Sequence, residues 1–234
     1  MPANTTERIQ QYLIRAELDA LLDHTPVIEK NILAFIEALG DLPPGFDDNT
    51  LYTYRVPMLS EDGTCSLIDE LAPTPYDLTA ILGGRNEVNK RKLLLLNQLV
   101  EHGTQLIGAD WVGIYQARKN GFAAPVLVKL AYRGRPSRAE FPLTAQFAAR
   151  STNSSVGLSG HAKVIDDIAA YTAEGGGFYL CDDAVQAEIC IPLFDEAGKV
   201  IGIIDAEAVP KAFFNADRAA TAVSMALVAP ALLP

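Results

Sequence analysis

What this chain lacks narrows it before any motif is read. Among 234 residues there are only three cysteines, Cys65, Cys181 and Cys190. The odd count and the lack of C-x-x-C spacing argue against a disulfide framework and against a zinc site, and no metal is expected. No apolar run reaches the roughly 20 residues that a membrane span requires. The charged, amphipathic N-terminus, MPANTTERIQQYLIRAELDALL, has no uninterrupted apolar stretch of the signal-peptide kind. Basic residues are the minority, 19 against 29 acidic ones, for a formal charge of −10, and only Lys90, Arg91 and Lys92 cluster. A nucleic-acid partner needs a basic face, and none is visible. Together these absences predict no nucleic-acid partner, no membrane and a reducing cytoplasm in which free thiols persist.

What is present is a foldable chain. Hydrophobic residues make up 49% and charged residues 21%, enough for one sizeable core with an appended segment, or for two small domains. Apolar residues recur at helical spacing from Thr5 to Leu39, with Pro26 between two stretches, which predicts two short helices. Residues 41–85 carry five prolines, four glycines and many aspartates, and read as an irregular connector with one or two short strands such as Leu51 to Val56. So long a connector is unusual inside one compact domain, so the expected division is an extension over residues 1–85 and a domain over residues 86–234.

The second part has a clearer rhythm. Asn86 can cap a helix to Ile107, with Val88, Leu95, Leu96, Leu99, Val100 and Leu106 as its apolar stripe and Gly108 as its stop. Strands are expected over Trp111 to Ala117 and Val126 to Arg133, the latter with Val126, Val128, Leu130 and Tyr132 on one face. An irregular crossing follows, with a Ser/Asn-rich loop at residues 151–155, a small helix around Gly160 and a short strand at Val164-Ile165. Glu188 to Phe194 and Lys199 to Ala208 read as a hairpin, and Asn215 caps a last helix to Val228. This order suits an α+β fold: an antiparallel sheet with the terminal helices on one face and a ligand pocket under irregular segments on the other.

Strand alternation then selects candidates, because residues i and i+2 share a sheet face. Trp111, Gly113 and Tyr115 point one way; so do Glu188 and Cys190, and so do Asp205 and Glu207. Acidic side chains at i and i+2 within IGIIDAEAV are costly to bury unless a cation or donor meets them. An ammonium ligand or a metal explains the pair; so does a strand that emerges into solvent at Asp205. Cys181 follows three glycines and can reach a pocket, or it is a small core side chain beside Asp182 and Asp183, which would hold its pKa up. Ser159, His161 and Asp166 have no nucleophile elbow, and Gly175-Gly176-Gly177 has neither the lysine nor the following helix of a phosphate loop.

These strings carry a resemblance. Gly108-Ala109-Asp110-Trp111-Val112-Gly113-Ile114-Tyr115, then Cys181-Asp182 followed by Glu188-Ile189-x-x-Pro192-Leu193, then Gly198-Lys199-Val200-Ile201-Gly202-Ile203-Ile204-Asp205-x-Glu207 are similar to the free methionine-(R)-sulfoxide reductases, a GAF-type family. The resemblance spans about 150 residues and implies a GAF-like fold. It also implies Cys181 as nucleophile, and Glu188, Asp205 and Glu207 as binders of an α-ammonium and source of the proton. Trp111 and Tyr115 become the pocket walls. No bound cofactor is implied; an external thioredoxin-like thiol reductant closes the cycle. The chain departs from the family at Gly157-Leu158-Ser159-Gly160, where a cysteine usually stands at the third position, and in its long N-terminal extension. Cys190 is the candidate substitute for the resolving thiol, with a buried apolar filler as the alternative; Cys65 reaches the pocket only if the extension folds over it.

Three functional readings follow. The first is thiol-dependent reduction of free methionine-(R)-sulfoxide or a related small sulfoxide. The second is a GAF module that binds an amino-acid-like ligand without turnover. The third is a structural role, with the N-terminal helices as the interface of a homodimer.

Overall fold

The computed structural model describes residues 4–40, 48–60, 63, 65, 70–119 and 124–234. Parts of the expected connector, including Pro43, Pro44 and Gly45, lie outside the described residues. Helix α1 (Thr5–Arg15) is capped by Asn4, whose side chain accepts from the Glu7 N–H, and α2 spans Thr25–Ala38. The break between them falls earlier than Pro26 suggests. Glu17 takes a left-handed φ of 59°, a 3-10 turn follows (Asp19–His24), and Pro26 sits in the first turn of α2, where a missing N–H costs nothing. The strand expected over Leu51 to Val56 is instead a short helix α3 (Asp48–Tyr52) running into a two-residue strand β1 (Thr53–Tyr54), which pairs with β2 (Tyr76–Asp77).

Helix α4 (Glu87–Ile107) begins at Asn86, whose side chain accepts from the Asn89 N–H, and ends at Gly108 with φ of 75°. Its buried stripe is Leu93, Leu96, Leu99, Val100 and Ile107, whereas Val88 and Leu106 face solvent. Four consecutive leucines, Leu93 to Leu96, let several stripes fit the sequence, and packing decides among them. Strands β3 (Trp111–Arg118), β4 (Val126–Arg133), β5 (Glu140–Pro142), β6 (Lys163–Ile165), β7 (Ala187–Phe194) and β8 (Val200–Ala208) form one antiparallel sheet in the order β5-β4-β3-β8-β7-β6. Helices α5 (Ala145–Ala148), α6 (Thr152–Ser159) and α7 (Ile168–Ala173) lie along the crossing, and α8 (Ala216–Val228), capped by Asn215, closes the chain before a 3-10 turn.

The sheet has two unlike faces. On one, Val112, Ile114, Val128, Ile189, Ile191, Ile204 and Ala206 join Leu96, Leu99 and Val223 in a single apolar core. Ile9, Leu13, Ile28 and Phe35 belong to that same core, so α1 and α2 extend it. On the other face a smaller cluster gathers Trp111, Tyr115, Leu127, Phe141, Phe147, Tyr179, Cys190 and Ile203, together with Cys65. A β-bulge sorts β4 between them. The register with β3 steps from Ile114↔Ala131 to Tyr115↔Lys129, leaving Leu130 over. Leu130 keeps the helix face, and Tyr132, expected beside it, turns to the opposite face with Trp111. No helix among the described residues is long and apolar enough to cross a membrane.

Candidate functional site

Register alone assembles the polar face. Trp111 of β3 lies opposite Glu207 of β8, which lies opposite Glu188 of β7. On the next rung Tyr132, Gly113, Asp205 and Cys190 stand side by side, and on the third Lys129, Tyr115 and Ile203. Directly opposed residues are neighbours, so two glutamates face each other with an aspartate one rung away. One carboxylate oxygen from each of Glu188, Asp205 and Glu207 falls within a mutual 4.8 Å. Glu188 and Asp205 are 1% and 3% exposed, so neither emerges into solvent. Gly113 leaves the gap into which the Trp111 indole folds: a Cβ there would sit 2.1 Å from the ring.

Helix α6 serves this trio from above. Ser151 caps it by accepting from the Ser154 N–H, so the expected Ser/Asn-rich loop is instead a helical turn, and Gly160 is its C-cap. Thr152 Oγ1 donates to Glu188 Oε1 at 2.6 Å, and Asn153 Nδ2 donates to Asp205 Oδ2 at 2.8 Å. The remaining oxygens, Glu188 Oε2 and Asp205 Oδ1, are buried and receive no hydrogen bond. Only a proton shared between the carboxyls or an incoming donor satisfies them. Burial, then the Asp205 charge, pushes the Glu188 carboxyl well above the usual range and Glu207 likewise; burial raises Asp205 to about 6, with the Asn153 hydrogen bond acting against it.

Among the described residues, a single buried cation faces these acids. Lys129 donates from Nζ to Ser137 O at 2.8 Å and Ser137 Oγ at 2.7 Å, and lies 4.0 Å from the Tyr132 ring centroid and 5.7 Å from that of Trp111. Burial pulls its pKa down to about 7, against the pull of nearby Cys181, Cys65, Glu207 and Asp205. Three carboxyls and one lysine leave the cluster with surplus acceptors, which suits a small cationic group. The trio can equally be read as metal-ligand geometry by spacing alone, although its oxygens sit on adjacent rungs with hydrogen-bonded partners already on two of them.

The thiols complete the cluster. Cys181 is half-buried at the edge of the aromatic group, and its neighbour Asp182 pairs with Arg135 at 3.0 Å. Cys65 is buried in the same cluster, and the two thiols influence each other's proton affinity. Cys190 is fully buried beside Asp205, where burial and the surrounding acids push its thiol up. Tyr115 is fully buried and edges onto Phe141, and its ring centroid lies 6.3 Å from that of Trp111. Cys181, Glu188, Trp111, Tyr115, Asp205, Glu207 and Cys190 therefore all reach one side of the sheet. Sequence reasoning passed over Lys129, Thr152, Asn153 and Arg138. Lys129 had a signal: it is the lone charge in VLVKLAY, and its parity opposes Val126 and Val128. Two clefts of about 840 and 540 Å³ lie elsewhere, lined by α1, α2 and α8 residues, and neither includes a member of this cluster.

Comparison with known proteins follows the same division. A search of curated proteins finds no match. Among solved structures, the chain is similar to the type II free methionine-R-sulfoxide reductase from Thermoplasma acidophilum, with a TM-score of 0.53 at 21% identity over 62% of this chain and 95% of that one. It is also similar to the free methionine-R-sulfoxide reductase from Neisseria meningitidis solved with its substrate, with a TM-score of 0.50 at 19% identity over 66% of this chain and 83% of that one. At such identities the likeness concerns the fold. The GAF domain family model matches residues 93–232, from the second turn of α4 to the end of the chain's last turn. With that match over more than half its length, and a six-stranded antiparallel sheet backed by α4 and α8, the chain belongs to the GAF domain family.

Proposed function

We propose that this protein reduces a small free sulfoxide that carries an ammonium group, free methionine-(R)-sulfoxide being the reference substrate. The observation that carries the reading is the pair of buried carboxyl oxygens without donors, Glu188 Oε2 and Asp205 Oδ1, on the same sheet face as Cys181. An α-ammonium supplies three donors to such a site. Glu207, on the rung between Trp111 and Glu188, adds a third acceptor. Trp111 and Tyr115 give the ligand's sulfur and methyl an aromatic wall.

The chemistry needs a nucleophile and an acid. The Cys181 sulfur attacks the electrophilic sulfoxide sulfur, and a carboxyl whose pKa is held up, Glu188 first, delivers a proton to the departing oxygen. The hydroxyl then passes to the Cys181 sulfur as the bond between the two sulfurs breaks, so Cys181 becomes a sulfenic acid and the sulfide leaves. A thioredoxin-like dithiol supplies the electrons for the next cycle. No bound cofactor enters this scheme.

The test is turnover. Purified protein with free L-methionine-(R)-sulfoxide and dithiothreitol is expected to yield methionine, and Cys181→Ser to yield none. Saturable binding of the sulfoxide with no methionine formed would select a ligand-binding GAF module instead. No binding of any amino acid would remove both readings.

A further inference from the structure

We infer that Cys65, carried by the N-terminal extension, is the thiol that resolves oxidised Cys181; this rests on the sulfoxide-reductase reading above. The two cysteines are 116 positions apart, yet the fold brings them together in one aromatic cluster that also holds Trp111, Tyr115 and Tyr179, where each thiol shifts the other's proton affinity. The positioning is built, not incidental. The Gly63 carbonyl accepts from Arg138 Nη1 at 2.5 Å and from the Tyr179 hydroxyl, and Arg138 donates at 2.9 Å to that same hydroxyl. The Arg138 guanidinium lies over the Phe147 and Tyr179 rings at 5.0 and 5.2 Å. Pairings at Leu59↔Cys65 and Pro57↔Leu71, with Met58 N–H donating to Glu70 O at 2.7 Å, bring this part of the extension back on itself. Tyr54, at the base of the segment, donates to the Lys129 carbonyl at 2.7 Å and so ties the extension to β4.

The other positions are worse placed. Cys190 is locked within β7 beside Asp205, where burial and the surrounding acids push its thiol up. Ser159, at the place where the resembled family carries a cysteine, is exposed at the far end of α6, where the next residue packs on Phe194 and Val200 of the β7–β8 hairpin. The electrostatics fit a division of labour. The hydrogen bond from Cys181 is the largest influence lowering the Cys65 pKa, to about 7, and Tyr179 and Arg138 act in the same direction against burial. A thiol held down in this way is readily deprotonated as it attacks a sulfenic acid beside it.

The steps balance. The Cys181 sulfur bonds to the sulfoxide sulfur; that S–S bond and the substrate's S–O bond then break as the oxygen passes to Cys181, and the sulfide leaves with Cys181 as a sulfenic acid. The Cys65 sulfur then attacks the Cys181 sulfur. The S–O bond breaks, an S–S bond forms, and the oxygen departs as water with the proton from Cys65. One sulfoxide is reduced by two electrons and two thiols become one disulfide, which an external dithiol returns to the thiol form.

The experiment uses the full chain, reduced and freed of reductant, in two arms. In the first, L-methionine-(R)-sulfoxide is added and the protein is digested without reduction. One methionine per chain and a cross-linked peptide joining Cys65 to Cys181 are expected. Cys65→Ser and Cys65→Ala are expected to release the same single methionine. Both should leave a sulfenic acid on Cys181 that a 1,3-diketone traps, and lose thioredoxin-driven recycling on the order of 100-fold, because an intramolecular thiol is replaced by one from solution. A Cys181–Cys190 cross-link, or undiminished recycling in both variants, overturns the inference. In the second arm diamide replaces the sulfoxide. Failure to form the Cys65–Cys181 disulfide overturns the thiol pairing itself. If diamide forms that disulfide and the sulfoxide yields no methionine, the reductase reading falls, and the resolving role with it.

Discussion

The two faces of the central sheet differ in how complete they are. The helix face is self-sufficient: Val112, Ile114, Ile189, Ile191 and Ile204 are fully buried against α1, α2, α4 and α8. The other face is built from the alternate residues of the same strands, yet it buries Lys129, Glu188 and Asp205 and leaves two carboxyl oxygens without donors. Burying ionisable groups in this way is costly, and opposing Glu188 to Glu207 adds repulsion. The strands thus hold their stability on one side and their unmet hydrogen-bonding capacity on the other. Substitutions on the two faces should therefore fail in different assays.

The largest separation is expected between Cys181→Ser and Leu96→Ala. The first removes the proposed nucleophile from a half-buried site and should lower sulfoxide turnover by at least roughly 10³-fold, while thermal melting stays close to that of the parent. Leu96 is fully buried on the helix face. Truncating it should cost about 2–5 kcal/mol in denaturant unfolding and leave the activity of the folded fraction unchanged. A Cys181→Ser variant that retains turnover, or a Leu96→Ala variant that loses it while still folded, would erase the division between the faces.

The faces also differ in how legible they were. Alternation in β3, β7 and β8 carries its meaning in the sequence, because a side chain's face follows from parity once the strand is recognised. Trp111, Tyr115, Glu188, Asp205 and Glu207 were found that way. Parity fails where the backbone inserts a residue: the bulge at Leu130 moved Tyr132 to the polar face, and nothing in VLVKLAYR announces it. Thr152 and Asn153 were hidden for a different reason. Helix α6 buries Thr152, Asn153 and Ser154 and so has no apolar stripe to reveal it. Cys65 was the hardest case, because its position depends on contacts made by Gly63 with Arg138 and Tyr179, far away in the chain. The proline-rich composition around it reads only as a connector.

A subtler test addresses how α6 equips the polar face. Thr152→Val keeps the shape and removes the hydroxyl that donates to Glu188 Oε1. Glu188 should then hold its proton more tightly, and unfolding free energy should drop by about 1 kcal/mol. Affinity for the free sulfoxide should weaken by roughly 10-fold, since a Glu188 that gives up its proton less readily attracts an ammonium less. Calorimetric titration checks the second effect and denaturant melts the first. Equal affinity in the two proteins would mean that Glu188 does not contact the cation.

The smallest effect is also the one that most directly reports burial on the polar face. Asp205 titrates near 6 in the folded chain against an ordinary 3.8, chiefly because it is buried. Between those values the folded chain holds a proton that the unfolded chain has released. Unfolding free energy should therefore fall as pH rises from about 4 to about 6, the reverse of what a carboxylate stabilised by an ion pair would do. Glu188 and Glu207 are raised as well and act in the same direction. Asp205→Asn should flatten this part of the profile without abolishing it, and should make the ligand-free protein more stable at pH 7 by about 1–3 kcal/mol. A cationic ligand should stabilise the parent above pH 6 and the variant much less, because it supplies the donor that the ionised carboxylate lacks. Parallel pH profiles for the two proteins would show that Asp205 is hydrated in solution, and the polar face would then have no unmet acceptor for a ligand to satisfy.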